Sequence, residues 1–174
     1  FVFRDLSYGN CEERVLFQTV HPTDHALRAA GTLAQWQGDV AVFCRGNSRL
    51  LCAVSTAFAA PLLCRMEEEG GGVHFRGASS TGKTTALHVA GSVWGGGTLP
   101  GYVTQWRATA NGLETVALKH CDGLLCLDEM GQVPARDAGE VAYLLANGCG
   151  KQRARRDGSG RPPISWRVLF LSTG

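Results

Sequence analysis

Residues 77–84 read Gly-Ala-Ser-Ser-Thr-Gly-Lys-Thr, the pattern Gly-x-x-x-x-Gly-Lys-[Ser/Thr] of a phosphate-binding loop. An apolar approach, Gly-Val-His-Phe-Arg at 72–76, leads into it, and a helix-forming run, Thr-Thr-Ala-Leu-His-Val-Ala at 84–90, leaves it. Strand, loop and helix in that order are the context the pattern requires. A chance glycine-rich turn does not account for Lys-Thr in register between those flanks. The stretch predicts an α/β fold of the P-loop NTPase type, a parallel sheet flanked by helices. Glycines let the backbone curl so that several N–H groups face one anion. The start of the following helix adds unpaired N–H groups and the positive end of its dipole. The expected nucleotide-binding residues are Gly77, Ala78, Ser79, Ser80, Thr81, Gly82, Lys83, Thr84 and Thr85. Lys83 is expected to reach the β- and γ-phosphate oxygens as a point charge, and Thr84 to place its hydroxyl on Mg²⁺.

The other half of a nucleotide site lies 40-odd positions on. Leu124-Leu125-Cys126-Leu127 is the continuous apolar run of a central parallel strand, and it ends in Asp128-Glu129. Strand C-termini are where ligands bind in open α/β sheets. Asp128 is placed to hold Mg²⁺ through water, and Glu129 to polarise an attacking water. Lys83, Asp128 and Glu129 form the expected catalytic set. Two adjacent acids favour hydrolysis over transfer to a small acceptor. A further apolar strand, 168–171, ends in Ser172-Thr173, candidate sensors of the γ-phosphate or lytic water, or an ordinary strand end. The chain has no Asn-Lys-x-Asp sequence to read guanine, so ATP is expected rather than GTP.

The 174 residues are enough for one domain with a real core, and 44% apolar against 18% charged residues places the chain among globular proteins. A net charge of +2 implies no polyanionic partner by itself, but the charge is uneven. Between 149 and 167 stand Lys151, Arg153, Arg155, Arg156, Arg161 and Arg167 against Asp157 alone. Asp157-Gly158-Ser159-Gly160 reads as a hairpin tip, and the alternation Lys151, Arg153, Arg155 puts cations on one strand face. Lys151, Arg153, Arg155 and Arg156 are the expected contacts to a nucleic-acid backbone, single-stranded DNA foremost. A solvated loop, or an arginine finger for a neighbouring subunit, are the alternatives. The seven cysteines form no C-x-x-C pair. Reduced thiols are expected, with Cys126 and Cys52 in apolar patterns, in a cytoplasmic protein. Neither a signal peptide nor a membrane-length span is evident.

Two regions are expected, a mainly helical segment over 1–70 and an ATPase core over 71–174, cut short at its C-terminus. The start at Phe1 and the stop just after an apolar strand read as an excised piece. Asp24 is an expected cap for a helix through Leu27, Ala30, Leu33 and Trp36, and a second helix is expected over 48–66 with Pro61 interrupting it. Thr109 precedes a helix through Leu113 and Ala117, and another is expected over 137–147 with Gly148 as its stop. His21 and His25 have metal-ligand spacing without a glutamate partner. His74 and His88 read as packing or surface residues, Trp166 as core, and Asn111 and Glu114 as a helix start, the alternative being residues that line the site or a subunit interface.

Several of these stretches together resemble a known family. Trp36-Gln37, Phe-Ala-Ala-Pro-Leu-Leu at 58–63, the whole of 74–85, Ser-Val-Trp-Gly at 92–95, Asn-Gly-Leu-Glu at 111–114, Leu127-Asp128-Glu129, Ala146-Asn147-Gly148 and Trp166-Arg167 look like domain-of-unknown-function family 927. The resemblance implies an AAA+/RecA-like core of helicase type, found in bacteria and often linked to phage, plasmid or other mobile elements. It implies a DNA helicase or DNA-dependent ATPase acting in replication of such elements, using ATP and Mg²⁺. Residues 151–165 occupy the place of a hairpin that can face DNA in a ring's channel. A homo-oligomeric ring, a hexamer being one candidate, and an accompanying primase-like domain are implied partners, because no arginine finger in cis stands out. The alternative is an ATP-dependent switch or assembly module without translocation. A small-molecule phosphotransferase fits the acid pair less well.

Overall fold

The computed structural model describes residues 25–96, 101–107, 109–151 and 163–174. The helical first part contains α1 (Leu33–Asp39), a 3-10 turn at Ala41–Cys44, α2 (Ser48–Ala59), a 3-10 turn at Ala60–Leu62 and α3 (Leu63–Met66). The rest alternates strand and helix: β1 (Gly71–Phe75), α4 (Lys83–Gly91), β2 (Val103–Gln105), α5 (Ala110–Lys119), β3 (Gly123–Asp128), α6 (Ala135–Asn147) and β4 (Val168–Thr173). The four strands form one parallel sheet in the order β1-β4-β3-β2. Strand β4, last in sequence, therefore lies between β1 and β3. All strands run the same way, so the loop after β1, the acid pair after β3 and the end of β4 share one edge.

Alternation along the strands divides the core. Leu124 and Cys126 of β3 pack with Ala53, Ala57, Ala86, Leu87 and Ala90 of α2 and α4 on one face. Leu125 and Leu127 pack with Leu113, Ala117, Val141 and Leu145 of α5 and α6 on the other. Both faces are covered, which is why β3 reads as an unbroken apolar run rather than an alternating one. Each fully buried leucine here stabilises the fold by about 1.5–3 kcal/mol relative to an exposed one. Alanines on the facing sides of α2 and α4 let the two helices approach closely. The Cys126 thiol, buried in β3, is pushed up to about 12 and stays protonated, a packing group rather than a nucleophile.

Helix ends follow their caps. Asn47 accepts from Leu50 N at 3.2 Å to start α2, and Thr109 accepts from Gly112 N at 3.1 Å to start α5. Gly148, at φ 68°, ends α6 as expected. The first helix differs from expectation. It begins at Leu33, because Thr32 forms a capping box with Gln35 and Gly31 takes φ 69° just before it. Asp24 lies outside the described residues. Leu27 instead makes an antiparallel bridge with Gly95, and Arg28 N donates to Trp94 O at 3.1 Å. Pro61 falls in the 3-10 turn that separates α2 from α3, as its missing N–H requires. Cys52, expected to be buried, is exposed on α2, since the alanine face of that helix takes the core side. Ser48–Met66 is long and apolar enough by composition to cross a membrane, contrary to the sequence expectation. Within the fold it is broken at 60–62, and its alanines face α4.

Gly72 has a steric role. A Cβ there would stand 2.2 Å from the Phe170 ring, which is itself set edge-on against Trp106 with centroids 6.3 Å apart. The ring cannot yield without displacing that pair. Gly72→Ala is expected to lower stability by about 1–3 kcal/mol through this overpacking. Thermal unfolding checks it; an unchanged Tm would mean that Phe170 has room to move.

Candidate functional site

The loop over 76–82 joins β1 to α4. Ser80 and Gly82 adopt positive φ, 61° and 82°, which curls the backbone just before the helix. Gly82 is the αL residue that opens α4, and among the described residues no side chain caps that end. Lys83 folds back over the loop and its Nζ donates to Gly77 O and Ala78 O, both at 2.7 Å. Thr81 Oγ1 donates to Ala78 O at 2.9 Å, bracing the curl. Thr85 is exposed, one residue into the turn from Thr84.

Across the edge, Asp128 is buried at the end of β3, with 7% of its surface exposed. Its Oδ1 gathers three donors: Thr84 Oγ1 at 3.3 Å, the Glu129 N–H at 3.0 Å and the Thr173 hydroxyl. The structure thus brings Thr84, Asp128 and Thr173 together from α4, β3 and β4. Glu129 follows in the left-handed region, φ 61°, an uncommon conformation for a residue with a side chain. Its N–H also lies 3.4 Å from Thr173 Oγ1, and its carboxylate accepts from Gln132 Nε2. Glu129 is exposed and is the residue from which the short 3-10 turn Met130–Gln132 begins.

A cleft of about 550 Å³ opens beside the loop. Its walls include Asn47 and Arg49 at the start of α2, His74 and Arg76 from β1 and its exit, and Thr81 and Lys83. Arg49, Arg76 and Lys83 line it without an acid among the described residues, so it suits an anion. His74 is exposed on the edge strand, and its partial desolvation, and then the charge of Arg76, lower its pKa below the usual imidazole value.

The other predicted residues separate. Ser172 is fully buried on the opposite face of β4 from Thr173, and its hydroxyl meets Trp106 Nε1 at 2.8 Å and His74 Nδ1 at 2.9 Å. It does not join Lys83, Asp128 and Glu129. His74, read from sequence as packing or surface, is therefore part of a polar cluster beside the cleft. The register pairing of His74 with Ser172 reveals this, and nothing local in sequence does. Trp166 is core, donating Nε1 to Leu145 O at 3.1 Å. Glu114, read as part of a helix start, is buried and accepts from Lys151 N at 3.2 Å, while Gly150 packs against its carboxylate. Lys151 is exposed and its Nζ lies 3.7 Å from Glu140. Arg167 pairs with Asp122 at 3.0 Å. Arg153, Arg155, Arg156 and Arg161, and with them the hairpin tip, lie outside the described residues, as does His21. Among the described residues no group of three or more His, Cys, Asp or Glu is placed to hold a metal.

No curated protein matches the chain. Among solved structures it is similar to SCCmec type IV Cch, an active helicase, with a TM-score of 0.65 and 25% identity over 90% of this chain. The chain spans 30% of the length of that structure. The model of the domain of unknown function DUF927 matches residues 1–164, nearly the whole sequence, and the chain belongs to that family.

Proposed function

We propose that this domain binds and hydrolyses ATP and is the motor of a DNA helicase or DNA-dependent ATPase. The observation that carries the reading is the meeting of Thr84 and Asp128, 3.3 Å apart, beneath a curled glycine loop that holds the Lys83 ammonium. Hydroxyl and carboxylate oxygens from a helix start and a strand end are the donor types a small hard cation takes. The residues present fit Mg²⁺, which Thr84 and Asp128 would hold and which would neutralise phosphate charge when bound. In this reading the triphosphate lies along residues 77–85, and Lys83 leaves its two loop carbonyls for the β- and γ-phosphate oxygens. Glu129 turns from Gln132 to orient a water for in-line attack on the γ-phosphorus. The P–O bond to the leaving diphosphate breaks, and the water's proton passes to the carboxylate. Thr173, through Asp128 and the Glu129 N–H, keeps that turn in place.

Likeness to an active helicase supports extending the reading to DNA. Single-stranded DNA would contact Lys151, Arg153, Arg155 and Arg156, and copies of the protein in a ring would complete each other's sites. Replication of a mobile or phage-like element, in the cytoplasm and beside a primase-like domain, belongs to the same reading. One observation favours the switch alternative: the Glu129 carboxylate is engaged by Gln132, so this state must rearrange before hydrolysis.

Steady-state ATP hydrolysis by the full-length protein, with and without single-stranded DNA, separates the two. A motor is stimulated by DNA. Replacing Arg153, Arg155 and Arg156 with Ala is then expected to weaken DNA binding and lower its salt slope by about 2–3. Turnover indifferent to DNA would support the switch, and an unchanged salt slope would remove the basic segment from the DNA contact.

A further inference from the structure

The Thr84–Asp128 pair and the cleft lie on different sides of one helix start. Thr84 meets Asp128 at 3.3 Å, toward β3. Its neighbours Lys83 and Thr85 line the cleft, whereas Thr84 is not among the described residues that do. Successive helix residues point about 100° apart, so these three side chains fan out around the first turn of α4. Phe75 and Arg76, which also line the cleft, place it on the side of β1, two strands from β3 in the described sheet. A triphosphate whose outer oxygens share a cation with Thr84 and Asp128 has its other end, the nucleoside, left to place. The cleft beside Lys83 and Thr85 is the space that receives it.

The far wall of the cleft comes from the helical first part of the chain. Asn47 Oδ1 accepts from Leu50 N at 3.2 Å, which fixes the start of α2 and with it Arg49 and Leu50. Ala53 and Ala57 of α2 pack in one cluster with Ala86 and Ala90 of α4, so the two helices are held together below the cleft. Leu50, Phe75 and Ala86 give the cleft an apolar part, and the exposed Asn47 and Arg49 a polar one. Phosphates need N–H groups and cations, not an apolar wall; a flat base does need one. The volume of about 550 Å³ falls within the roughly 300–1,000 Å³ of small-molecule sites, which combine apolar walls with a few polar groups.

We propose that the start of α2 is the nucleoside half of the site: the base and ribose of the bound nucleotide lie in this cleft on Leu50 and Phe75, with Arg49 and Asn47 as their polar contacts. The inference rests on the nucleotide reading above and extends it to a part of the chain that the phosphate loop does not include. Its signature is a loss seen with nucleotides and not with a bare phosphate chain.

Ligands with and without a nucleoside separate this from a phosphate contact. The full-length protein and its R49A and N47S variants are titrated, with Mg²⁺ present, against ADP, a non-hydrolysable ATP analogue and inorganic tripolyphosphate. Ser at 47 keeps a capping oxygen for α2 while removing the amide, and thermal unfolding checks that both variants stay folded. Salt near about 0.15 M limits the reach of a charge to about 8 Å, which keeps a distant cation from acting on tripolyphosphate. The parent is expected to bind the analogue more tightly than tripolyphosphate. R49A is expected to lose about 10-fold for ADP and the analogue alike, the size of one lost guanidinium contact, and to bind tripolyphosphate as the parent does. N47S is expected to fall in the same direction by less. K83A is the contrast, weakening tripolyphosphate as well. An equal loss of tripolyphosphate in R49A would make Arg49 a phosphate contact and overturn the proposal. Unchanged affinities in both variants, or a parent that binds the analogue no better than tripolyphosphate, would overturn it too. A parent protein that binds none of the three would remove the nucleotide reading itself.

Discussion

Glu129→Gln is expected to leave ATP binding within about two-fold of the parent and to cut turnover by about 10²–10⁴-fold, the range for loss of a general base. The amide keeps the side chain's size and can still meet Gln132, so the turn over 130–132 need not change. Binding is spared because the Glu129 group that touches Asp128 is its backbone N–H, at 3.0 Å, not its carboxylate. The αL backbone at 129 costs of order 1 kcal/mol or more for a residue with a side chain, yet the fold retains it. That conformation lets the chain turn at once from the buried Asp128 to an exposed acid. Equilibrium binding of a fluorescent ATP analogue, beside steady-state hydrolysis, checks both halves. Full turnover in the variant would assign water activation to another group.

Lys83→Ala is expected to weaken triphosphate binding about 100-fold while leaving the melting temperature nearly unchanged. The loss follows from removing charge-assisted hydrogen bonds, each worth about 1.5–3 kcal/mol, to the β- and γ-phosphates. Stability should hold because, among the described residues, Nζ bonds Gly77 O and Ala78 O, two loop carbonyls in a solvent-exposed setting that water can satisfy. Calorimetric titration with ATP, together with thermal unfolding without nucleotide, measures the two. Unaltered ATP affinity would sink the phosphate-loop assignment. A large fall in melting temperature would instead make Lys83 a brace of the loop.

Much of the fold was legible because the deciding patterns are local. The Gly-Lys-Thr run, the Asn47 and Thr109 positions, Gly148 and the apolar block of β3 each express a backbone or burial requirement within a few residues. The first helix was misplaced for the same reason. Apolar spacing from Leu27 to Trp36 looked helical, but Gly31 and the Thr32 capping box set a later start, and Leu27 found its partner at Gly95. Cys52 looked buried by composition; only the packing of Ala53 and Ala57 against α4 assigned the faces of α2.

Sequence by itself determined the α/β class, the order of strand, loop and helix, the two apolar faces and the nominees Lys83, Thr84, Asp128 and Glu129. Those follow from periodicity and backbone chemistry, which act over short stretches. Only the tertiary structure decided that β4 lies between β1 and β3, because inter-strand hydrogen bonds join residues about 100 positions apart. That insertion placed Thr173 on the Asp128 carboxylate and turned Ser172 to the other face, toward Trp106 and His74. The strand's two-residue period makes neighbouring hydroxyls diverge, and which of them meets the site depends on register, a non-local quantity.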